Sequence, residues 1–208
     1  MGTFLKKMIM NCDEEKVNMT PLTFTAEEAN SSVKLTKFGS PTVDGVQYRI
    51  GTSGGWSPYT IDTEITLTNV GDCVQFQNTL ETLGTDSSNY VQFVMTGKIA
   101  ASGNCMSMLN FSDKMTAYAF YYLFDGCTSL VNAPELPATV LVDYCYQNMF
   151  NECTKLNYIK VNFSSWVDNT TNNWVAGVSS TGVFNAPSDL PVIVGDSNVP
   201  TGWTVTNN

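Results

Sequence analysis

Tyr118-Ala-Phe-Tyr-Tyr-Leu-Phe124-Asp-Gly-Cys127-Thr-Ser-Leu130 is followed by a second version of itself, Tyr144-Cys-Tyr-Gln-Asn-Met-Phe150-Asn-Glu-Cys153-Thr-Lys-Leu156. The matched tyrosine, phenylalanine, cysteine and leucine residues are all 26 positions apart. A period of roughly 20 to 29 residues with Leu and Cys at fixed places is the signature of a leucine-rich repeat. Because one copy cannot bury its apolar face alone, we expect the copies to stack on each other.

Within each copy, the Phe, Cys and Leu positions are three residues apart, which favours a tight helical or 3₁₀ turn that directs three side chains to one interior. The second copy then continues as Leu156-x-x-Ile159-x-Val161, a pattern typical of a leucine-rich strand. The first continues as Leu130-x-x-Ala133-Pro134. Because proline has no N–H to donate, we expect Pro134 to shorten this strand or to place it at a sheet edge.

Cys127 and Cys153 occupy the same place in the two copies. We interpret both as buried, reduced packing residues, since Cys behaves as a small apolar side chain in a core. A disulfide is the alternative. The six cysteines of the chain show no CxxC motif and no dense disulfide framework.

Residues 20 to 103 differ from the repeats because their apolar residues alternate with polar ones, the period of a half-buried strand. Turn signals separate these segments by 8 to 12 residues, a spacing that predicts an antiparallel β-sandwich. The predicted strands are Leu22–Ala26, Val33–Lys37, Val46–Ile50, Ile65–Val70, Cys73–Phe76, Tyr90–Met95 and Lys98–Ala101.

The chain is therefore predicted to be mainly β, with three parts. Residues 1–19 form an N-terminal anchoring arm, with a plain surface extension as the alternative; residues 20–103 form the sandwich; residues 104–208 form the repeat domain, with repeats at 118–143 and 144–169. Met106–Phe111 is interpreted as the N-terminal cap of the repeats, and the residues after Phe163 as the C-terminal cap. A last pair of strands is predicted at 192–194 and 203–205.

Charge excludes several functions. The formal net charge is −9, and Arg49 is the single arginine. Because phosphate backbones and anionic lipid surfaces require clustered Lys and Arg, we expect neither a nucleic-acid nor a membrane partner. The N-terminus has no apolar segment long enough for a secretory signal, so we expect that the protein does not use one. A signal that has already been removed is the alternative.

Catalytic chemistry has few candidates. The chain has no histidine, which removes Ser-His-Asp, Cys-His and His-based zinc chemistry. Thr52-Ser-Gly-Gly55 has no Lys after it and is interpreted as a turn rather than a phosphate loop. A carboxylate pair of glycosidase type is one alternative, but carboxylates more often lie on a solvated face. The candidates are Glu27, Glu28, Asp125, Glu135, Asp143 and Glu152. A Ca²⁺ site is another alternative, but the chain does not show the spacing of a dedicated calcium loop. We predict no enzymatic activity and no catalytic, cofactor-binding or metal-binding residue.

Aromatic residues are the better binding candidates, because an exposed ring offers a large apolar area at low entropic cost. Trp56 and Tyr59 belong to a predicted hairpin loop, and we name them as binding residues with Tyr121 and Tyr146 of the repeats. The alternative for Trp56 is that it folds back over the edge of the sandwich. Most of the repeat tyrosines are expected to pack in the interior.

Several phrases of the sequence resemble one family, the BspA-like leucine-rich repeat proteins of gut anaerobes and of the tailed phages that infect them. The resemblance is carried by Phe124-Asp-Gly-Cys-Thr-Ser-Leu130, Met149-Phe-Asn-Glu-Cys-Thr-Lys-Leu156 and Val199-Pro-Thr-Gly-Trp-Thr-Val205. Pro21–Ala26 and Ile65–Phe76 are similar to the β domain that often precedes such repeats.

The resemblance implies a non-enzymatic binding or structural protein displayed on a surface. We expect a virion surface protein of a tailed phage, such as a head fibre, tail fibre or capsid decoration, that acts in structural display or host attachment. Its expected partners are other virion proteins through the N-terminal arm, a cell-surface glycan or protein, and further copies of itself, with a homotrimer favoured. A bacterial cell-surface adhesin is the alternative.

Overall fold

The computed structural model describes residues 18–208 and is mainly β. The predicted N-terminal arm lies outside the described residues, apart from residues 18 and 19. Within the described range there is no α-helix, and Cys105–Leu109 form a 3₁₀ helix. The strands are β1 (Leu22–Ala26), β2 (Ser31–Phe38), β3 (Val46–Ile50), β4 (Ser57–Pro58), β5 (Ile65–Leu67), β6 (Cys73–Asn78), β7 (Tyr90–Thr96), β8 (Ile99–Ser102), β9 (Leu130–Leu136), β10 (Tyr158–Val161), β11 (Val183–Ala186) and β12 (Thr204–Asn207).

Two sheets contain these strands, in the orders β12-β11-β10-β9-β8-β1-β6-β3-β4 and β5-β2-β7. From β8 to β4 the large sheet is antiparallel, and from β8 to β12 it is parallel. The parallel part is the strand side of a β-solenoid of about three turns in residues 132–207. The predicted fold class is confirmed. The predicted boundary at residue 103 lies where the pairing changes, and separate folding of the two parts stays a prediction.

A row of buried phenylalanine rings runs from the sandwich into the solenoid. Phe24 of the large sheet meets Phe93 of the small sheet with ring centroids 4.8 Å apart. Phe93 stacks on Phe124 at 5.5 Å, and Phe124 stacks on Phe150 at 5.5 Å with nearly parallel planes. Sandwich and solenoid therefore share one apolar core.

The turn side of the solenoid has a regular backbone. Three coils place a left-handed residue at every fourth position: residues 118, 122 and 126 in the first, 144, 148 and 152 in the second, and 169, 173 and 177 in the third. Alternate N–H groups donate to the next coil, as from Phe124 to the carbonyl of Met149 at 2.9 Å and from Phe150 to that of Trp174 at 2.8 Å. The segment interpreted as a C-terminal cap thus contains a third coil.

The repeated cysteines bind the coil or strand before them. The Sγ atom of Cys127 donates to the carbonyl of Phe93 in β7 at 3.0 Å, and that of Cys153 donates to the carbonyl of Phe124 at 3.0 Å. Both side chains are buried and free of disulfides, as predicted. Burial raises the pKa of both thiols above the ordinary range.

Two local predictions are wrong. Pro134 neither shortens β9 nor places it at an edge, because β9 lies between β8 and β10. The two steps from Tyr158 to Lys160 on β10 correspond to three steps on β9, from Asn132 to Glu135, so Pro134 lies in a β-bulge inside the sheet. Residues 192–194 do not form a strand and are exposed.

Met106, Met108 and Leu109 were predicted to cap the repeats. They lie in the 3₁₀ helix and are buried. Ser107 fixes this helix to the sandwich, because its hydroxyl donates to the carbonyl of Phe76 at 3.0 Å and accepts from the N–H of Leu22 at 2.9 Å. The first coil itself stacks on β7, where the N–H of Phe93 donates to the carbonyl of Leu123 at 2.7 Å.

Candidate functional site

Three of the four residues named from the sequence are buried in this structure: Tyr59, Tyr121 and Tyr146. Tyr146 is fully buried in the solenoid core and stacks on Phe120 at 6.0 Å. Tyr59 is 7% exposed, and its hydroxyl accepts from the N–H of Leu35 at 2.9 Å and donates to the carbonyl of Thr63. This tyrosine fastens the loop after β4 to the small sheet.

Trp56 is half-buried in the loop between β3 and β4. The guanidinium of Arg49 covers one face of its ring at 4.6 Å from the centroid, a cation–π contact. Arg49 is held in turn by Gln75, whose Oε1 accepts from the Nε group at 2.7 Å. The packing gives Trp56 a structural partner on one face, and its role in binding stays a prediction.

Tyr121 belongs to a cluster of aromatic side chains that contact one another on one side of the molecule. We call this cluster the tyrosine patch. It consists of Phe38, Tyr90, Tyr118, Tyr121, Tyr122 and Tyr144.

The patch is assembled from both parts of the fold. Phe38 and Tyr90 are directly paired across β2 and β7 and stack at 4.7 Å. Tyr118 and Tyr144 hold the same position in successive coils and stack at 4.7 Å, the spacing expected between neighbouring strands or coils. Tyr121, which is 9% exposed, joins the two pairs through contacts with Tyr90 at 5.3 Å and Tyr118 at 5.4 Å.

The rim of the patch carries carboxylates. Burial raises the pKa of the Tyr118 hydroxyl, and Tyr144, Asp86 and Asp143 raise it further. Asp86 is fixed by the side-chain amide of Asn89, which donates to both carboxylate oxygens at 3.0 and 2.9 Å and lowers the pKa of that carboxyl. The charge around the patch therefore disfavours an anionic ligand.

Asp125 lies on the same side and has a different environment. Burial raises its pKa, while the amide of Asn151 in the next coil donates to its Oδ1 at 2.7 Å and opposes that shift. Burial also raises the pKa of Tyr121, to about 12, with the neighbouring Tyr122 as the next cause. Burial also raises the pKa of Tyr90 and Tyr118, so these two hydroxyls and that of Tyr121 are neutral near pH 7 and can donate as well as accept hydrogen bonds.

Rings of this kind suit recognition rather than catalysis. A tyrosine presents a flat apolar body and a polar tip, and Tyr is among the residues enriched at the energetic centres of interfaces. Five neighbouring tyrosines offer such a surface without loop rearrangement, because four of them are in hydrogen-bonded coils.

Part of this patch could be predicted from the sequence. Tyr118 and Tyr144 are matched by the 26-residue period, which places them side by side in stacked coils. Phe38 and Tyr90 have no such signal, because their neighbours are set by the pairing of β2 with β7.

Two further observations bear on function. Among residues 18–208, no three His, Cys, Asp or Glu side chains converge as a metal site would require. No helix in the same part of the chain has the length and apolar character needed to cross a membrane.

Comparisons of the chain with protein-family models, curated proteins and solved structures found no match. The fold itself defines the class of protein, which is mainly β with a short C-terminal β-solenoid.

Proposed function

We propose that this chain is a non-enzymatic attachment protein on the surface of a tailed-phage virion, of the BspA-like leucine-rich repeat type. The tyrosine patch is the observation that carries the proposal. It joins six aromatic side chains into one surface, and all of them except Tyr121 are at least partly exposed.

The composition supports a binding role. The chain lacks histidine, and the carboxylates around the patch either accept hydrogen bonds from amides, as Asp86 and Asp125 do, or are exposed, as Asp143 is. The patch would contact a neutral cell-surface glycan or a protein. Other virion proteins would bind the N-terminal arm, and a homotrimer would display three patches, which raises avidity without a new contact.

Mass spectrometry of purified virions from the source phage tests whether the protein is part of the virion. Surface labelling of the host bacterium, done in parallel, tests the adhesin alternative. The proposal expects the chain in the particles in stoichiometric amounts. Its absence from the particles together with its presence on the bacterial surface would contradict the virion assignment and support an adhesin.

The patch is tested by binding of the purified full chain to host cells. The double variant Tyr118→Ala and Tyr144→Ala removes a stacked pair, and Val140→Ala, at a residue that is 72% exposed, is the matched control. Loss of two aromatic residues of the patch is expected to weaken binding by at least about 30-fold, the size of one interfacial hot spot. Equal binding of the double variant and the control would refute the patch as the contact surface.

A further inference from the structure

A polar cleft of about 310 Å³ opens at the third coil, next to the tyrosine patch. Its lining includes Trp166, Asp168, Asn169, Asn172, Ser197 and Asn198. The N–H of Tyr144 donates to the carbonyl of Asn169 at 2.8 Å, so the cleft begins one coil beyond the last tyrosine of the patch. Its volume is within the range of small-molecule sites, which begins at about 300 Å³.

The tryptophan at one end of the cleft is fixed. The indole Nε1 of Trp166 donates to the carbonyl of Pro191 at 2.8 Å. Its ring packs against Phe163 at 5.2 Å and against Trp174 at 6.2 Å. Core side chains therefore hold the Trp166 ring in place, and only its outer part lines the cleft.

The other end of the cleft is fixed by hydrogen bonds to the 195–198 loop. The hydroxyl of Thr171 donates to the carbonyl of Ser197 at 2.8 Å, and the N–H of Asn173 donates to the Ser197 hydroxyl at 3.0 Å. The indole of Trp174 donates to the carbonyl of Asn198 at 2.8 Å. A cleft held in this way loses little entropy when it binds a ligand.

The hydroxyls of Thr171 and Ser197 are used in this framework, whereas four other polar side chains of the lining are not. Within residues 18–208, the side chains of Asp168, Asn169, Asn172 and Asn198 make no hydrogen bond, and the framework bonds use backbone atoms of their segments. Three amides offer donors and acceptors side by side, and one carboxylate offers strong acceptors. Sugar hydroxyl groups, which donate and accept at the same atom, match this set.

The charge of the cleft further restricts the class of ligand. The cleft lining contains no Lys or Arg, and its charged member is Asp168. An anionic sugar would meet a carboxylate with no cation to balance it, so a neutral sugar is favoured. An indole edge beside amides and a carboxylate suits a pyranose, which has apolar C–H groups and polar hydroxyls on one ring.

We propose that this cleft is a saccharide-binding site for a neutral pyranose, such as a hexose or an N-acetylhexosamine at the end of a glycan. The site is distinct from the tyrosine patch and does not require it. If both bind, a glycan chain would run from the cleft along the column of Asn169, Tyr144 and Tyr118.

The test uses the full chain and ¹⁵N NMR, which detects weak binding and locates it. The probes are the methyl glycosides of glucose, galactose and N-acetylglucosamine, with glucuronic acid and N-acetylneuraminic acid as anionic comparisons. At least one neutral probe is expected to shift the indole N–H signal of Trp166 in a saturable manner, and the acids are not. Trp166 itself is left unchanged, because its ring supports the core.

Two variants and a control complete the test. We expect Asn172→Ala and Asp168→Ala each to weaken the binding of the neutral sugar about tenfold, which is the effect of one lost hydrogen bond to the ligand. Asn207→Ala, at an exposed amide on β12, should leave affinity unchanged. The Tyr118→Ala and Tyr144→Ala double variant should also bind as the wild type, which separates this proposal from the function proposed above.

Three results would overturn the proposal. They are no saturable shift with any neutral probe, equal binding of the anionic sugars, and unchanged affinity in both Asn172→Ala and Asp168→Ala. Circular dichroism of each variant confirms that the fold is retained, since both substituted side chains are at least partly exposed.

Discussion

Replacing Phe124 with alanine should be among the most destabilising single changes in this chain. The Phe124 side chain has no exposed surface and lies between two parallel rings, Phe93 of the sandwich and Phe150 of the next coil, each 5.5 Å away. A buried Phe→Ala change costs about 3–5 kcal/mol through lost transfer energy and the cavity that remains. We expect a value in the upper half of that range, because both neighbouring rings are held by β7 or a hydrogen-bonded coil and cannot move into the space.

The measurement is urea-induced unfolding monitored by tryptophan fluorescence. The change in the free energy of unfolding is calculated from the midpoint and the slope of the transition. Phe38→Ala is the control, because Phe38 is 42% exposed and contacts Tyr90 on one face. The control should lose no more than about 1.5 kcal/mol, the upper value for one aromatic pair. A loss below about 1 kcal/mol for Phe124→Ala, or equal losses in the two variants, would refute the shared aromatic core.

Three further predictions concern strain, thiols and pH. Gly126→Ala should lower the free energy of unfolding by about 1–2 kcal/mol, because the left-handed φ of +68° is unfavourable for alanine. Gly103→Ala should lower it more, because its Cβ would lie 2.1 Å from the Pro21 carbonyl oxygen. Thermal unfolding of the two variants checks this order. Iodoacetamide at about pH 8 should not label the four buried cysteines until the chain unfolds, which peptide mass spectrometry reports; native-state labelling would contradict their burial. These are Cys105, Cys127, Cys145 and Cys153. Folding raises the pKa of Tyr121 to about 12, so the protonated hydroxyl contributes stability that is present below about pH 10 and lost between about pH 10 and 12. The urea midpoint should therefore fall over that interval, and it should fall less in Tyr121→Phe.

Regular patterns in the sequence predicted much of the fold. The alternation in Leu22–Ala26 and Val46–Ile50 gives the bounds of β1 and β3. The apolar residues of β1 are all buried, whereas β3 buries Val46 and leaves Ile50 exposed. The 26-residue period predicted the stacking of Phe124 on Phe150 and the burial of their cysteines. In both cases, one local pattern determines one local geometry.

Features that depend on partners distant in the chain were not predictable. The third coil keeps the left-handed positions of the first two at 169, 173 and 177, but it changes the residues and shortens the offset from 26 to 25, so side-chain identity no longer shows it. The bulge at Pro134 depends on the register with β10. The run at 192–194 has high strand propensity, but it pairs only through one isolated bridge, between Val194 and Val199.

The candidate site shows the same division. Tyr59 looked accessible because it follows a turn-rich loop, and the loop in fact folds onto β2, where the Tyr59 hydroxyl binds the backbone of Leu35. Tyr146 is two residues after Tyr144 of the patch, but its side chain is fully buried. The sequence spacing predicted the coil, but the backbone conformation of the coil determines which aromatic rings reach the surface.

Competition between the purified chain and phage particles for host cells tests the central claim most directly, because it requires both virion display and attachment through the tyrosine patch. Wild-type protein and the Val140→Ala control should reduce phage adsorption with the same concentration dependence. The Tyr118→Ala and Tyr144→Ala double variant should need at least about 30-fold more protein for the same reduction. No competition by the wild-type chain, or equal competition by the double variant, would contradict the account.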